Sequence, residues 1–307
     1  MRISSAVVGV GLFSLAACAP GRVASVPGPV AAADSAVRAA IAAERTFNPA
    51  SIPAQTIGVA PFRVAAADTS LNALGYGLAD FLATDLARSS RLRVVDRLRV
   101  AAFLRETGLA SRGFVDSATA PRMGRLVGAR RIVSGALLAT NQTRLQLAGR
   151  VGDVVTGTVS PVQGTAAALR DVLDAEKALA FNIFSRLGIS LSPAERAAIE
   201  ERPTGDLGAL IAYSRGLRAE ATGDFGQARA EYRTARRLDP NFAAPAARLD
   251  ALGSAAAAGP ESPSVLRAGL LAAEGINRRT LPTRVDAADP AFRLRLDAVI
   301  IIVLQLP

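Results

Sequence analysis

The chain has 307 residues and a formal net charge of +10, with no histidine, no tryptophan and one cysteine. That composition removes the Ser-His-Asp and Cys-His nucleophile systems, the histidine general base and the ordinary zinc and haem ligand sets, so no cofactor and no metal is expected. Half of the residues are apolar, enough to build cores for two modest domains with tails.

Taken in chain order, the first feature is an export signal. Arg2 supplies the positive end, and Ile3 to Ala17 form an apolar run too short to span a bilayer. Leu15, Ala16, Ala17 and Cys18 resemble a lipobox, in which small residues fit the signal peptidase and the cysteine thiol takes the lipid. Ala19 rather than aspartate follows Cys18, which by resemblance to known sorting rules implies the outer membrane. Residues 1–18 are thus read as a lipoprotein signal peptide and 19–54, rich in Ala, Pro and Gly, as a flexible tether.

Ile57 to Val64 is a short β-branched run interrupted by Pro61. Proline cannot donate to a ladder, so the strand lies at an edge or ends there. Asp68, Thr69 and Ser70 offer N-caps to a helix with one apolar stripe at Leu74, Leu78, Phe81, Leu82 and Leu86. Arg91 to Asp96 reads as a second strand and Leu98 to Glu106 as a helix stopped at Gly108. Asp116 or Ser117 caps a further helix, which carries Met123, Leu126 and Val127 and stops at Gly128. From Ile132 the period changes from 3.6 to 2, predicting a strand to Ala139, a turn at Asn141-Gln142, an alternating strand from Arg144 to Val151, a turn at Thr156-Gly157 and a strand from Thr158 to Val162. A helix over Ala166 to Leu187 closes a domain spanning 55–190, and the arginines from Arg88 to Arg150 read as its solvated face.

The ordered set Ile57-Gly58-Val59-Ala60-Pro61-Phe62, Gly75-Tyr76-Gly77-Leu78-Ala79-Asp80, Arg91 to Arg97, Leu126-Val127-Gly128-Ala129 through Gly135, and Asp153 to Gly157 resembles the CsgG-like family of curli secretion lipoproteins and their TolB-N-like relatives. The resemblance implies an α/β domain that oligomerises or binds partners at the envelope, without catalytic residues. The curli channel adds long transmembrane hairpins to this domain. Here the strands after Arg131 are joined by short turns, and no spare pair of hairpins is visible.

Residues 209–242, with Gly216, Gly223, Ala228, Tyr232, Ala235 and Pro240, look like one tetratricopeptide repeat, in which small residues let two helices approach, Tyr232 fills the space between them and Pro240 ends the second. One such unit cannot bury both faces, so the helical region 191–252 must lean on the α/β domain, on Pro193 to Glu201, on Ala243 to Leu252 or on another subunit. Residues 253–290 read as a linker. Residues 291–307 read as an apolar strand that needs a pairing partner.

The expected fold is therefore α/β, a mixed-sheet layer sandwich followed by a small all-α helical hairpin. The expected role is that of a protein-interaction and assembly module in envelope biogenesis or secretion, on the periplasmic face of the outer membrane. Its expected partners are membrane lipid through Cys18 and envelope proteins through the hairpin, with self-association as a further option and no nucleic acid. Two alternatives stay open: a ring-forming secretion channel like the curli pore, and a carboxylate-based hydrolase, which would need a buried acid pair in a cleft.

Overall fold

The computed structural model describes residues 29–66, 68–108, 119–139 and 144–257. The lipobox with Cys18, the caps at Asp116 and Ser117, the Asn141-Gln142 turn, residues 258–290 of the expected linker and the apolar strand over 291–307 lie outside the described residues.

The sheet is mixed. Strand β1 (Thr56–Val59) lies between β3 (Arg93–Val94) and β4 (Arg131–Ala139), parallel to both. Beyond β4, strands β5 (Arg144–Asp153) and β6 (Val159–Ala168) continue antiparallel as the expected meander, giving the order β3-β1-β4-β5-β6. Strand β1 is not an edge, but it does stop before Pro61. The Ala60 N–H still reaches the Val133 carbonyl at 2.9 Å, and pairing with β4 resumes at β2 (Arg63–Ala65). Between the pairs Val59↔Val133 and Arg63↔Ala136 this side advances four residues against three, so the proline sits in a bulge where its missing donor costs nothing.

Helices cover the two faces of the sheet. On one side α2 (Leu74–Leu86) and α5 (Val172–Arg186) bury Leu78, Leu82, Leu179 and Ile183 against Val59, Val133, Leu137 and Leu147. On the other, α1 (Pro29–Ala42), α3 (Arg97–Glu106) and α4 (Ala120–Val127) bury Val37, Phe103, Met123 and Leu126 against Ile132. Helix α4 ends where expected, because Gly128 takes the left-handed conformation at φ 75° and closes the helix from outside.

Three segments differ from expectation. The segment read as tether contributes α1, whose Val37, Ala40 and Ile41 recur at helical spacing and join the core, while Arg38 pairs with Glu106 and Glu44 with Arg122. Alanine-rich sequence lowers mean side-chain size, so hydrophobic patterning understated this helix. Residues 166–168 are strand and not helix, paired through Arg144↔Ala168, and α5 begins at Val172. Helix α2 is buried around most of its circumference, not along one stripe, because a second helical layer lies on its outer side.

That layer comprises α6 (Pro193–Glu200), α7 (Leu207–Thr222), α8 (Phe225–Leu238) and α9 (Ala243–Ala257), the last entering the stretch expected as linker. A Ser192–Glu195 capping box starts α6, Asp206 caps α7, and Gly223 at φ 86° terminates α7. The mixed α/β architecture with a helical C-terminal region is as expected. The apolar core runs without interruption from the sheet through α2 to Tyr213, Tyr232 and Phe242.

Candidate functional site: a buried polar junction and its cleft

Glycines bring α7 onto α2. A Cβ at Gly77 would lie 2.1 Å from Ser214 Oγ, and one at Gly216 would lie 2.4 Å from the Tyr232 ring. With those positions bare, α2, α7 and α8 stack closely enough for Tyr213 to lie parallel on Phe81 at 5.6 Å, edge-on to Phe242 at 5.0 Å and tilted against Tyr232 at 5.6 Å. Ala228 and Ala235 are buried beside Tyr232, while Pro240 is exposed in the turn before α9. The hairpin thus leans on its own α/β domain through α7.

Within this aromatic packing lies a set of opposed charges. Asp80 on α2 accepts from Arg248 Nη2 at 2.6 Å and from the Tyr213 hydroxyl at 2.7 Å, and Arg97 Nε approaches it to 3.5 Å. Glu220 on α7 accepts from Arg97 Nη2 at 2.7 Å and from the Tyr232 hydroxyl at 2.6 Å. Two carboxylates thus face two guanidiniums, and the set is neutral. Burial alone would raise the Glu220 carboxyl, but Arg97, Arg248 and the Tyr232 hydroxyl outweigh it and hold the group below its ordinary value. Burial and the neighbouring carboxylates keep both tyrosines protonated, so they act as donors throughout. Paired in this way, four ionic side chains tolerate an interior that would reject any one of them.

A cleft of about 590 Å³ opens beside the junction, lined by Asp85, Arg88, Lys177, Thr204, Asn241 and Arg248 among others. At its floor Lys177 Nζ donates to Asp85 Oδ2 at 2.6 Å and stands 3.5 Å from Glu176 Oε2. Burial pushes Asp85 up to about 6 against the pull of Lys177, and pushes the fully buried Glu176 well above the usual carboxylate range, with Asp85 adding to the effect. This is a buried acid pair, the feature a carboxylate hydrolase would need. Its arrangement does not serve that chemistry: Glu176 has no exposed surface, and Lys177 already occupies Asp85. The two carboxyls cannot flank a substrate bond from opposite sides.

Asp80 and Arg97 stand in motifs that carry the family resemblance, but the sequence marks neither them nor Glu220 or Arg248 for a buried charge cluster, and Arg97 falls in the stretch that reads as a solvated face. A signal was present. Glu220 falls on the stripe Leu210, Tyr213, Leu217, and Lys177 on the stripe Leu173, Ala180, Phe184, so each charge occupies a position that helical spacing sends inward. The sequence does not reveal which charges meet. Of the residues singled out for packing, Gly216, Ala228, Tyr232 and Ala235 converge at the α7–α8 contact, whereas Gly223 serves as the helix stop.

Comparison with known proteins bears on the α/β part. No curated protein matches the chain. Among solved structures, the NMR structure of E. coli LpoB aligns at 14% identity and TM-score 0.30, covering 54% of this chain and 81% of that one. The LpoB C-terminal domain from Salmonella enterica aligns at 14% identity and TM-score 0.29, covering 44% and 96%. At those scores neither likeness bears on function. The family model described as "Curli production assembly/transport component CsgG" matches residues 39–167, from the second half of α1 to the end of β6. Across that span the chain is CsgG-like, an α/β domain similar to the curli production assembly/transport component.

Proposed function

We propose that the chain is a lipid-anchored envelope protein, held at the periplasmic face of the outer membrane through Cys18, and that it works as a docking and assembly module. The observation that carries this reading is the neutral buried junction. Asp80, Arg97, Glu220 and Arg248 balance their charges on one another, so they hold the helical layer on the CsgG-like domain as one body. The family match over residues 39–167 supports an envelope role, and the Leu15 to Cys18 pattern supports the anchor. No described helix is long and apolar enough to cross a membrane, and a thiol-borne lipid would supply the attachment instead.

With α7 committed to α2, the helical layer offers partners α8, α9 and the cleft. Crosslinking in intact cells from a photoreactive residue at Ala230, an exposed position on α8, is expected to capture a discrete envelope protein. Recovery of adducts only with lipid, or of none, would count against the module.

The family match also raises the secretion-channel reading. Strands β4, β5 and β6 are each nine or ten residues long, yet all three pair within the domain's own sheet, and α5 packs across β5 and β6. They are not free to form membrane hairpins. Purified protein is accordingly expected to form no rings by electron microscopy and to add no conductance to planar bilayers; ring images with conductance would establish the channel instead.

A further inference from the structure

Helix α9 opens on the cleft without a cap. The other three helices of the outer layer each begin on a side chain that accepts from a first-turn N–H: Ser192 for α6, Asp206 for α7 and Asp224 for α8. Before α9 stands Phe242, buried and apolar, which cannot accept. Among the described residues, the N–H groups of Ala243 and Ala244 meet no acceptor. Both residues line the cleft, with Asn241 before them and Arg248 one turn beyond Ala244. Unmet first-turn donors and the positive end of the helix dipole therefore border that space.

Arg248 adds a further unmet donor from the same helix. Helical side chains lean toward the N-terminus, so its guanidinium lies along the turn that holds Ala244. Nη2 is spent on Asp80 and Nε on the Tyr213 hydroxyl, but Nη1 is buried without an acceptor, and the side chain is only 5% exposed. A buried donor left unmade is costly. Asp239, the lining acid nearest in sequence, does not fill the gap: its oxygens accept from Thr204 Oγ1 and the Asn241 N–H.

Two N–H groups at a helix end and one guanidinium nitrogen match the two oxygens of a carboxylate. A phosphate would bring a second charge that the cleft has no surplus to meet, since its described lining holds four acidic and four basic side chains. At about 590 Å³ the cleft also has room for more than a carboxylate. Small residues at Ala243, Ala244, Ala247 and Gly205 leave that room open, and the exposed Asn241 offers an amide to a peptide group.

We propose that the cleft binds the C-terminal carboxylate of a peptide chain, one oxygen on the N–H groups of Ala243 and Ala244 and the other on Arg248 Nη1. The site needs no lipid on Cys18, and its ligand is either a free short peptide or the end of a protein.

The test is calorimetric titration of the full chain with trialanine, trialanine amide and N-acetyl-trialanine. The expected result is saturable binding of trialanine, about tenfold weaker binding of the amide, and binding of the acetylated peptide within about twofold. Asn241→Asp places a carboxylate before the helix end, on an exposed position. It is expected to weaken trialanine binding about tenfold without lowering the melting temperature, because an acid there suits the dipole. Binding lost from an intact fold separates occupation of the site from damage to it. Ubiquitin extended by three alanines carries the same carboxylate on a folded body: its binding assigns the site to protein ends, and binding of trialanine alone assigns it to free peptides. Equal affinity for trialanine and its amide, undiminished binding by Asn241→Asp, or no saturable binding of trialanine would each overturn the proposal. So would displacement of trialanine by an equal concentration of inorganic phosphate, which would reassign the donors to a phosphate ligand.

Discussion

Arg248 Nη2 donates to Asp80 Oδ1 at 2.6 Å, joining positions 168 residues apart in the chain. The bond ties the last described helix to the first helix that covers the inner sheet face. Removing one partner leaves the other charge buried and alone, so Asp80→Ala is expected to destabilise the fold by about 3–5 kcal/mol. Urea denaturation followed by circular dichroism measures this. Pairing it with Arg248→Met is expected to recover part of the loss, because the double variant strands one fewer charge; a double loss equal to the sum of the single losses would show that the two residues act separately.

At Gly216 and Gly77 the missing side chain is itself the structural element. Gly216→Ala drives a methyl into the Tyr232 ring and Gly77→Ala drives one into Ser214, each with an expected cost of about 1–3 kcal/mol. The two sites are told apart by relief: Ser214→Gly is expected to rescue Gly77→Ala and not Gly216→Ala. Thermal melts of the four variants decide the matter.

The three buried carboxyls do not all respond to pH with the same sign. Glu176 and Asp85 hold protons in the fold that the unfolded chain would release, so their contribution is full below the unfolded values near 4 and is lost as pH rises, for Asp85 through about 6 and for Glu176 through a value well above the usual carboxylate range. Glu220, held below its ordinary value, contributes above about 4.5 and is lost as pH falls further. Glu176→Gln is therefore expected to match the wild type at pH 4 and exceed it at pH 8, with slopes up to about 1.4 kcal/mol per pH unit for each proton concerned. Glu220→Gln is expected to be weaker at pH 8. Stability curves across that range check both signs.

Radiolabelled palmitate is expected to enter the wild-type chain in cells and to be absent from Cys18→Ser. Labelling that persists in the variant would remove the anchor from the proposed function.

The sheet was legible because its cues are local. Alternation from Leu145 to Val151, the stop at Gly128 and the break at Pro61 each act over a few residues, and each appears where the pattern placed it. Helix α1 was missed because alanine is as common in linkers as in helices, and only Val37 and Ile41 hint at a buried side. The Ala166-Ala167-Ala168 run was assigned to helix for the converse reason: alanine favours helix locally, and pairing with β5 overrode it. The charged junction was illegible in a different way. Asp80, Arg97, Glu220 and Arg248 come from four separate helices, and nothing local says that two acids and two arginines far apart in sequence will neutralise one another.

The docking of α1 also sets a length. Read as loose chain, residues 19–54 would give an anchored domain a leash of 36 residues. Because the chain is fixed from Pro29 onward, only ten residues separate Cys18 from the folded body, and covalent geometry limits their span to roughly 40 Å. A protein moored at Cys18 would thus patrol a shallow zone next to its own leaflet, and anything it gathers must come to that zone to be met.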